Sequence, residues 1–326
     1  MNKALLALIL SLCLSQTAKA QKDSVDYYLG AIKENFDQKH FDQVIVDCFK
    51  VINLDPDNLD AHTYCGISYR MINIFPSAIH YFQQAVEISP RDGRMLNNLA
   101  TTYAELGYDS LALNIYDRSV EASPYNANTY NNRGALYLDR QEFRKAESDF
   151  RQSIEMNPSS PHPYVNMGNF YMDQNKYNEA LPYFDMAIER APGFANPIYC
   201  KALMIEKTGG KKKHYESLIK EAVEQYTKNI KDNRYDYDAL LRRAKAYDKI
   251  GKKYLAKIDY RKALKMFDQL VNQNPDSWRM LYARGSAYYG LKEYDKAKSD
   301  FEKVLFLNPK HKGTQGKLKE IKNKNL

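Results

Sequence analysis

Catalytic vocabulary is scarce in this chain. Among its 326 residues six are histidine and four are cysteine. His40, His62, His80, His162, His214 and His311 are scattered, so no H-E-x-x-H or other close metal-binding pair forms, and there is no C-x-x-C. No G-x-S-x-G occurs. Gly209-Gly210-Lys211 places glycine beside lysine, but no G-x-x-x-x-G-K-[ST] can be built around it, which excludes a phosphate loop. Long apolar runs are missing beyond the first fourteen residues, so no later segment reads as a membrane span. These absences point away from an enzyme, and no cofactor or metal is expected.

The first twenty residues read as a secretory leader. Lys3 precedes an apolar stretch from Ala4 to Leu14, and Ala18-Lys19-Ala20 fits a small-x-small cleavage site before Gln21. Leu12 stands before Cys13 where a lipoprotein signal would have a small residue, so lipid attachment is not expected. The expectation is an exported protein, periplasmic, envelope-associated or secreted. Export permits disulfides. Cys48, Cys65 and Cys200 remain after cleavage, and Cys48 and Cys65 fall on the core faces of neighbouring helices. They are either buried thiols or a bridge.

What the sequence does have is a period. Pro56, Pro90, Pro124, Pro158 and Pro192 are each 34 residues apart. Twelve residues before the last four stand Ala78, Ala112, Ala146 and Ala180, followed four residues later by Phe82, Tyr116, Phe150 and Phe184. Twelve before each alanine is Gly66, Ala100, Gly134 or Gly168, and three beyond that Tyr69, Tyr103, Tyr137 or Tyr171. Spacings of three and four mark helices, so each unit reads as two helices and a turn. A small residue in mid-helix permits close approach, and the aromatics are expected to fill the space between hairpins. Proline ends the second helix, because it lacks an N–H and disfavours helical backbone in the residue before it.

On these positions the chain resembles the tetratricopeptide repeat family, whose 34-residue pattern runs from aromatic, Leu-Gly and Tyr through Ala, aromatic and Ala to Pro. The resemblance implies an all-α fold: about eight helical hairpins in a right-handed solenoid, closed by a C-terminal helix. The expected organisation is a leader over 1–20, a degenerate first repeat over 21–58, four regular repeats over 59–194, three repeats with two insertions over 195–311, and a polar cap over 312–326. One insertion, of about eight residues, is expected near Lys207–His214 as a hinge or irregularity. The other extends the helix that carries Ala256, Tyr260 and Ala263 through Met266 and Leu270.

Such a stack presents a surface to a partner. The family's first helices line the concave face, and this places Asn98, Asn132 and Asn166 there, flanked by Asn97, Asn131 and Asn169. An Asn amide both donates and accepts, so a ladder of them suits the backbone of an extended peptide or partner protein; Asn also bonds locally. Arg242, Lys245 and Arg279 supply cations for an acidic peptide, with Tyr199, Tyr282 and Tyr289 beside them. Charge is uneven: residues 1–192 carry 17 basic and 24 acidic residues, net −7, and residues 193–326 carry 31 and 16, net +15. A second reading is therefore attachment of the basic half to lipid head groups or acidic glycans. Nucleic acid is not expected for an exported protein.

Overall fold

The structure, a computed structural model, describes residues 3–324, with side chains from residue 19 onward. The side chains of the expected leader, Cys13 and Ala18 among them, lie outside the described residues. The described residues form seventeen α-helices and no strand. Contacts divide the chain into two compact units, Met1–Leu99 and Ala100–Leu326.

The first unit holds α1 (Lys3–Asp37), α2 (Phe41–Leu54), α3 (Leu59–Met71), α4 (Phe75–Ile88) and the start of α5 (Gly93–Glu105). The second holds the end of α5, then α6 (Asp109–Ala122), α7 (Ala127–Asp139), α8 (Phe143–Met156), α9 (His162–Asp173), α10 (Tyr177–Arg190), α11 (Ala195–Lys207), α12 (Lys212–Asp232), α13 (Tyr237–Lys249), α14 (Lys253–Gln273), α15 (Trp278–Gly290), α16 (Tyr294–Leu307) and α17 (Lys312–Lys324). Within the first unit α1 packs on α2 and α3 on α4, and within the second unit α7 to α16 pack as consecutive antiparallel pairs. First helices of neighbouring pairs also touch: α1 meets α3, α7 meets α9, α9 meets α11, and α13 meets α15. Within each unit the first helices therefore lie side by side, the packing of a tetratricopeptide-type superhelix.

Local chemistry fixes where the helices stop. Asp55, Ser89, Ser123, Asn157, Ala191, Asn274 and Asn308 each follow a second helix and precede a proline, with ψ between 71° and 88°. That is the extended backbone a residue before proline must adopt. A second stop escaped the sequence reading. Lys39, Asn73, Gly107, Gln141, Asn175 and Gly209, also 34 residues apart, have positive φ. They end the first helices in left-handed caps, as when Ile74 N–H donates to the Tyr69 carbonyl (2.8 Å). Only Gly is unstrained there, yet most of these positions are not Gly, which hides the signal.

The same marker corrects the position of the first insertion. Gly209 keeps the 34-residue register, so the extra residues come after it; the next markers are Gly251 and Lys292. Six second helices have 14 residues, whereas α12 and α14 have 21. The insertion is thus two turns added to α12 rather than a hinge at Lys207–His214. Ile219, Ala222, Val223 and Tyr226 give that longer helix its buried stripe. Thr208-Gly209-Gly210 stays a tight turn, in which a Cβ on Gly210 would lie 2.3 Å from Ile205 Cγ2.

In four hairpins the aromatic of the second helix closes its own hairpin, whereas Tyr260 on α14 packs against Gly290 of the next one, where a Cβ would lie 2.3 Å from the ring. A Cβ on Gly66 would lie 2.7 Å from the ring of Phe82, one on Gly134 2.8 Å from Phe150, one on Gly168 2.5 Å from Phe184, and one on Gly285 2.8 Å from Phe301. All four rings are fully buried. Beside these contacts runs an ion-pair series in phase with the repeat. Arg133 donates Nε and Nη2 to Asp149 (2.8 and 2.9 Å) and Nη1 to Asp117 of the preceding pair (2.9 Å). Arg284 repeats this with Asp300 and Asp268, and Arg243 with Asp259 and Thr227. Each guanidinium pins two hairpins through a planar fork that Lys cannot supply.

Within the second unit the chain also closes on itself. Arg279 Nη1 donates to Asp139 at 2.6 Å, its Nη2 lies 3.6 Å from Asp109, and its guanidinium stacks 4.3 Å over Trp278. Trp278 sits where a Cβ on Gly107 would be, 2.6 Å from Cδ1. Gln141 donates to the Lys310 carbonyl (2.6 Å). This clasp ties the eighth hairpin to the helix turns of the third and fourth.

In the first unit, Cys48 and Cys65 are unbridged thiols in one core cluster with Val44, Val51 and Ala61. Hydrogen bonding to Cys48 and burial push the Cys65 thiol up.

Two outcomes test this packing. In an exposed helix Gly→Ala stabilises by about 1 kcal/mol. Here Gly168→Ala is expected to cost about 1–3 kcal/mol, read by urea unfolding, because the buried Phe184 ring cannot withdraw. Arg279→Ala should release the clasp and red-shift the emission of Trp278, the sole tryptophan; unchanged emission would mean the clasp does not hold Trp278.

Candidate functional site

The expected asparagine ladder is a hydrogen-bonded chain across the first helices of the second unit. Asn166 Nδ2 on α9 donates to Asn131 Oδ1 on α7 (2.8 Å), and Asn131 Nδ2 donates to Asn132 Oδ1 (3.2 Å). Asn132 Nδ2 donates to Thr101 Oγ1 on α5 (3.2 Å), which shares a proton with the Tyr116 hydroxyl (3.0 Å). Asn169 is half-buried on α9. Asn97 and Asn98 lie in the first unit, Asn97 buried and Asn98 half-buried. Three of the six amides are thus already spent partly on one another, although an amide can make four hydrogen bonds and keeps capacity for more.

The three cations separate. Arg279 belongs to the clasp. Arg242 donates Nε to Asp238 (2.5 Å) and Nη1 to Asn196 (2.7 Å), so both arginines are engaged within the fold. Lys245 is different. It lines a cavity of about 650 Å³ walled by α11, α13, α14, α15, α16 and α17. Seven lysines face this space: Lys245, Lys249, Lys253, Lys257, Lys292, Lys317 and Lys324. Tyr199, Tyr260, Tyr282, Tyr289 and Tyr294 line it as well, and Asp248 is its one acidic wall residue. No arginine does.

Burial sets the electrostatics. It pushes the Tyr199 and Tyr260 hydroxyls well above the usual range. Burial, with Arg242 and Lys317 nearby, lowers Lys245 to about 8 against the opposing pull of Asp238. Lys249 pairs with Glu206 (2.6 Å). Among the described residues Lys245, Lys253, Lys257 and Lys292 have no carboxylate within ion-pair distance. Asp248 acts at longer range on Lys253 and Lys292, and Asp238 on Lys245, so the concavity carries an excess of positive charge that suits an anion. The Lys211-Lys212-Lys213 run, by contrast, is the start of α12, with Lys212 paired to Glu216 (3.7 Å).

The sequence carries a signal for the cavity. Lys245, Lys249, Lys253 and Lys257 are spaced by four across the turn at Gly251. Lysines four apart on a helix share a face. Two such pairs on the antiparallel α13 and α14 converge only once the pair folds.

The penalty on Lys245 predicts a pH dependence. Its folded-state value of about 8 lies below the ordinary 10.5, so the unfolded chain holds that proton more tightly. The penalty is full below pH 8 and fades as pH rises toward 10.5. Lys245→Met should therefore stabilise the protein at pH 7 by about 1–3 kcal/mol, allowing for the half-exposed side chain, and lose the advantage by about pH 10. Melting of both proteins across that range is the measurement.

Comparison with known proteins agrees with this architecture. Models described as tetratricopeptide repeat match residues 127–160, 163–194 and 278–311, residues 72–127, and residues 238–277, more than half of the chain in all. None of them is a catalytic family. Among solved structures, PilW, a "widely conserved type IV pilus biogenesis factor", is 18% identical with a TM-score of 0.54, over 60% of this chain and 91% of that one. Pseudomonas aeruginosa PilF is 16% identical with a TM-score of 0.50, over 65% of this chain and 93% of that one. A human IFIT1 dimer with m7Gppp-AAAA is 18% identical with a TM-score of 0.54, over 82% and 68%. At these identities the likeness is one of fold.

Proposed function

The chain belongs to the tetratricopeptide repeat family, and we propose that it is a non-enzymatic scaffold, exported to the cell envelope, that binds a partner protein or an extended segment of one along its first helices. The observation that carries this reading is the open lysine and tyrosine cavity of the second unit, walled by the first helices α11, α13 and α15 together with α14, α16 and α17. A stack of hairpins with a concavity lined by tyrosine rings and lysine ammonium groups is built to hold a polypeptide. Among the described residues no group of three or more His, Cys, Asp or Glu could hold a metal ion, and no helix is long and apolar enough to cross a membrane. Support for an envelope assembly comes from the leader-like N-terminus and from similarity to PilW, a type IV pilus biogenesis factor. The asparagine chain extends the same surface toward α7 and α9.

Site-specific photo-crosslinking tests the scaffold. A benzophenone side chain at Asn169 or Lys249, on first helices, should trap one stoichiometric polypeptide in intact cells. The same group at Lys262, exposed on the second helix α14, should not. Crosslinks of equal yield from both faces, or only to lipid, would contradict the proposal.

A further inference from the structure

The cavity already binds carboxylates, and they are the chain's own. At its rim the Glu320 carboxylate on α17 accepts from the Tyr289 hydroxyl (2.5 Å) and from Lys317 Nζ (3.0 Å), while Lys324 Nζ donates to the same hydroxyl (2.7 Å). Against the cost of its partial burial, these partners hold the Glu320 carboxyl below the usual range. On another wall Asp248 Oδ2 accepts from the Tyr260 hydroxyl (2.9 Å). Each carboxylate takes one tyrosine hydroxyl and stands among lysines. Around them the ammonium groups of Lys245, Lys253, Lys257 and Lys292 form no close ion pair and outnumber the one acidic residue of the lining, Asp248. Charge-assisted hydrogen bonds of this kind are about twice as strong as neutral ones, so further carboxylates are the complement the site lacks.

Resting on the scaffold reading, we propose that the cavity holds a carboxylate-rich polypeptide segment of the partner, and that Glu320 is a built-in competitor which the segment displaces from Tyr289 and Lys317.

Three observations favour an acidic polypeptide over other anions. The site is a concavity walled by six helices, and a planar bilayer would reach only its outer lysines. Sugar rings and nucleic-acid bases need open aromatic faces. Here Lys317 and Lys324 already lie 4.2 and 4.6 Å from the centre of the Tyr289 ring, and Tyr199 and Tyr260 are buried. Point charges beside tyrosine hydroxyls are the arrangement that Asp248 and Glu320 already satisfy. Competition by Glu320 follows from placement: a carboxylate entering along α15 meets the one hydroxyl that Glu320 occupies.

Fluorescence anisotropy of the full chain with fluorescein-labelled octaglutamate tests this, with labelled octaglutamine as the uncharged control. Octaglutamate should bind and octaglutamine should not. Lys253→Gln with Lys257→Gln, both at exposed positions, should weaken binding on the order of tenfold. Glu320→Gln should tighten it roughly threefold, since Gln can still accept from Tyr289 but no longer repels the incoming charge. Circular dichroism melts establish that each variant is folded. Octaglutamate binding unchanged in both variants would overturn the proposal. So would tight binding of phosphatidylglycerol vesicles or inorganic polyphosphate that is lost in Lys253→Gln/Lys257→Gln while octaglutamate does not bind. If the trapped polypeptide persists undiminished in that double variant, the scaffold reading stands and the acidic-segment proposal falls.

Discussion

Four hairpins depend on one close approach, a buried aromatic ring of the second helix set against a glycine on the first. Sixteen residues separate Gly66 from Phe82, Gly134 from Phe150, Gly168 from Phe184 and Gly285 from Phe301. Ring and glycine together fix the distance between the two helices, because a packed interior tolerates neither a gap nor an added methyl. That distance fixes the angle at which the next pair can dock. Repetition then turns a local contact into a continuous inner face.

Charge is used in two opposite ways. Arg133, Arg243 and Arg284 are paired, forked and partly buried, and each joins two hairpins through Asp149, Asp259 or Asp300. A half-buried arginine without its aspartate would destabilise the stack, so these cations are bound to the fold. Lys245, Lys253, Lys257 and Lys292 instead line a concavity without a close ion pair. The contrast separates structural cations from those open to a ligand more sharply than net charge does. Arg279 and Arg242 fall on the structural side. Arg279 joins Trp278 in closing the second unit, and that closure gives the inner face its enclosed character.

The functional reading follows from this division. The second unit offers a lysine-rich cavity between α11 and α13 to α17, with tyrosine hydroxyls that already hold two of the chain's own carboxylates. Ordering one stiff surface ahead of time lowers the entropic cost of holding a flexible segment. A hairpin stack achieves this without a deep hydrophobic pocket, and its selectivity then comes from the placement of charge.

The sequence by itself determined the helices, their pairing and the register. Proline every 34 residues, small residues in mid-helix and aromatics at fixed offsets act through backbone and neighbours a few residues away, and such constraints are legible in one dimension. It also located the long α14. It did not locate the extension of α12, because a seven-residue lengthening keeps helical periodicity and looks like a displaced loop. Only tertiary structure decided which polar side chains are spent. Arg242 and Lys245 are three residues apart on one helix, yet one is bound to Asp238 and Asn196 while the other faces a cavity. Asn131 and Asn166 meet each other because α7 and α9 touch. Trp278 meets Gly107, and Glu320 meets Tyr289, across many residues of chain. Those pairings depend on the distance and angle between whole hairpins, quantities that accumulate along the stack and are written at no single position.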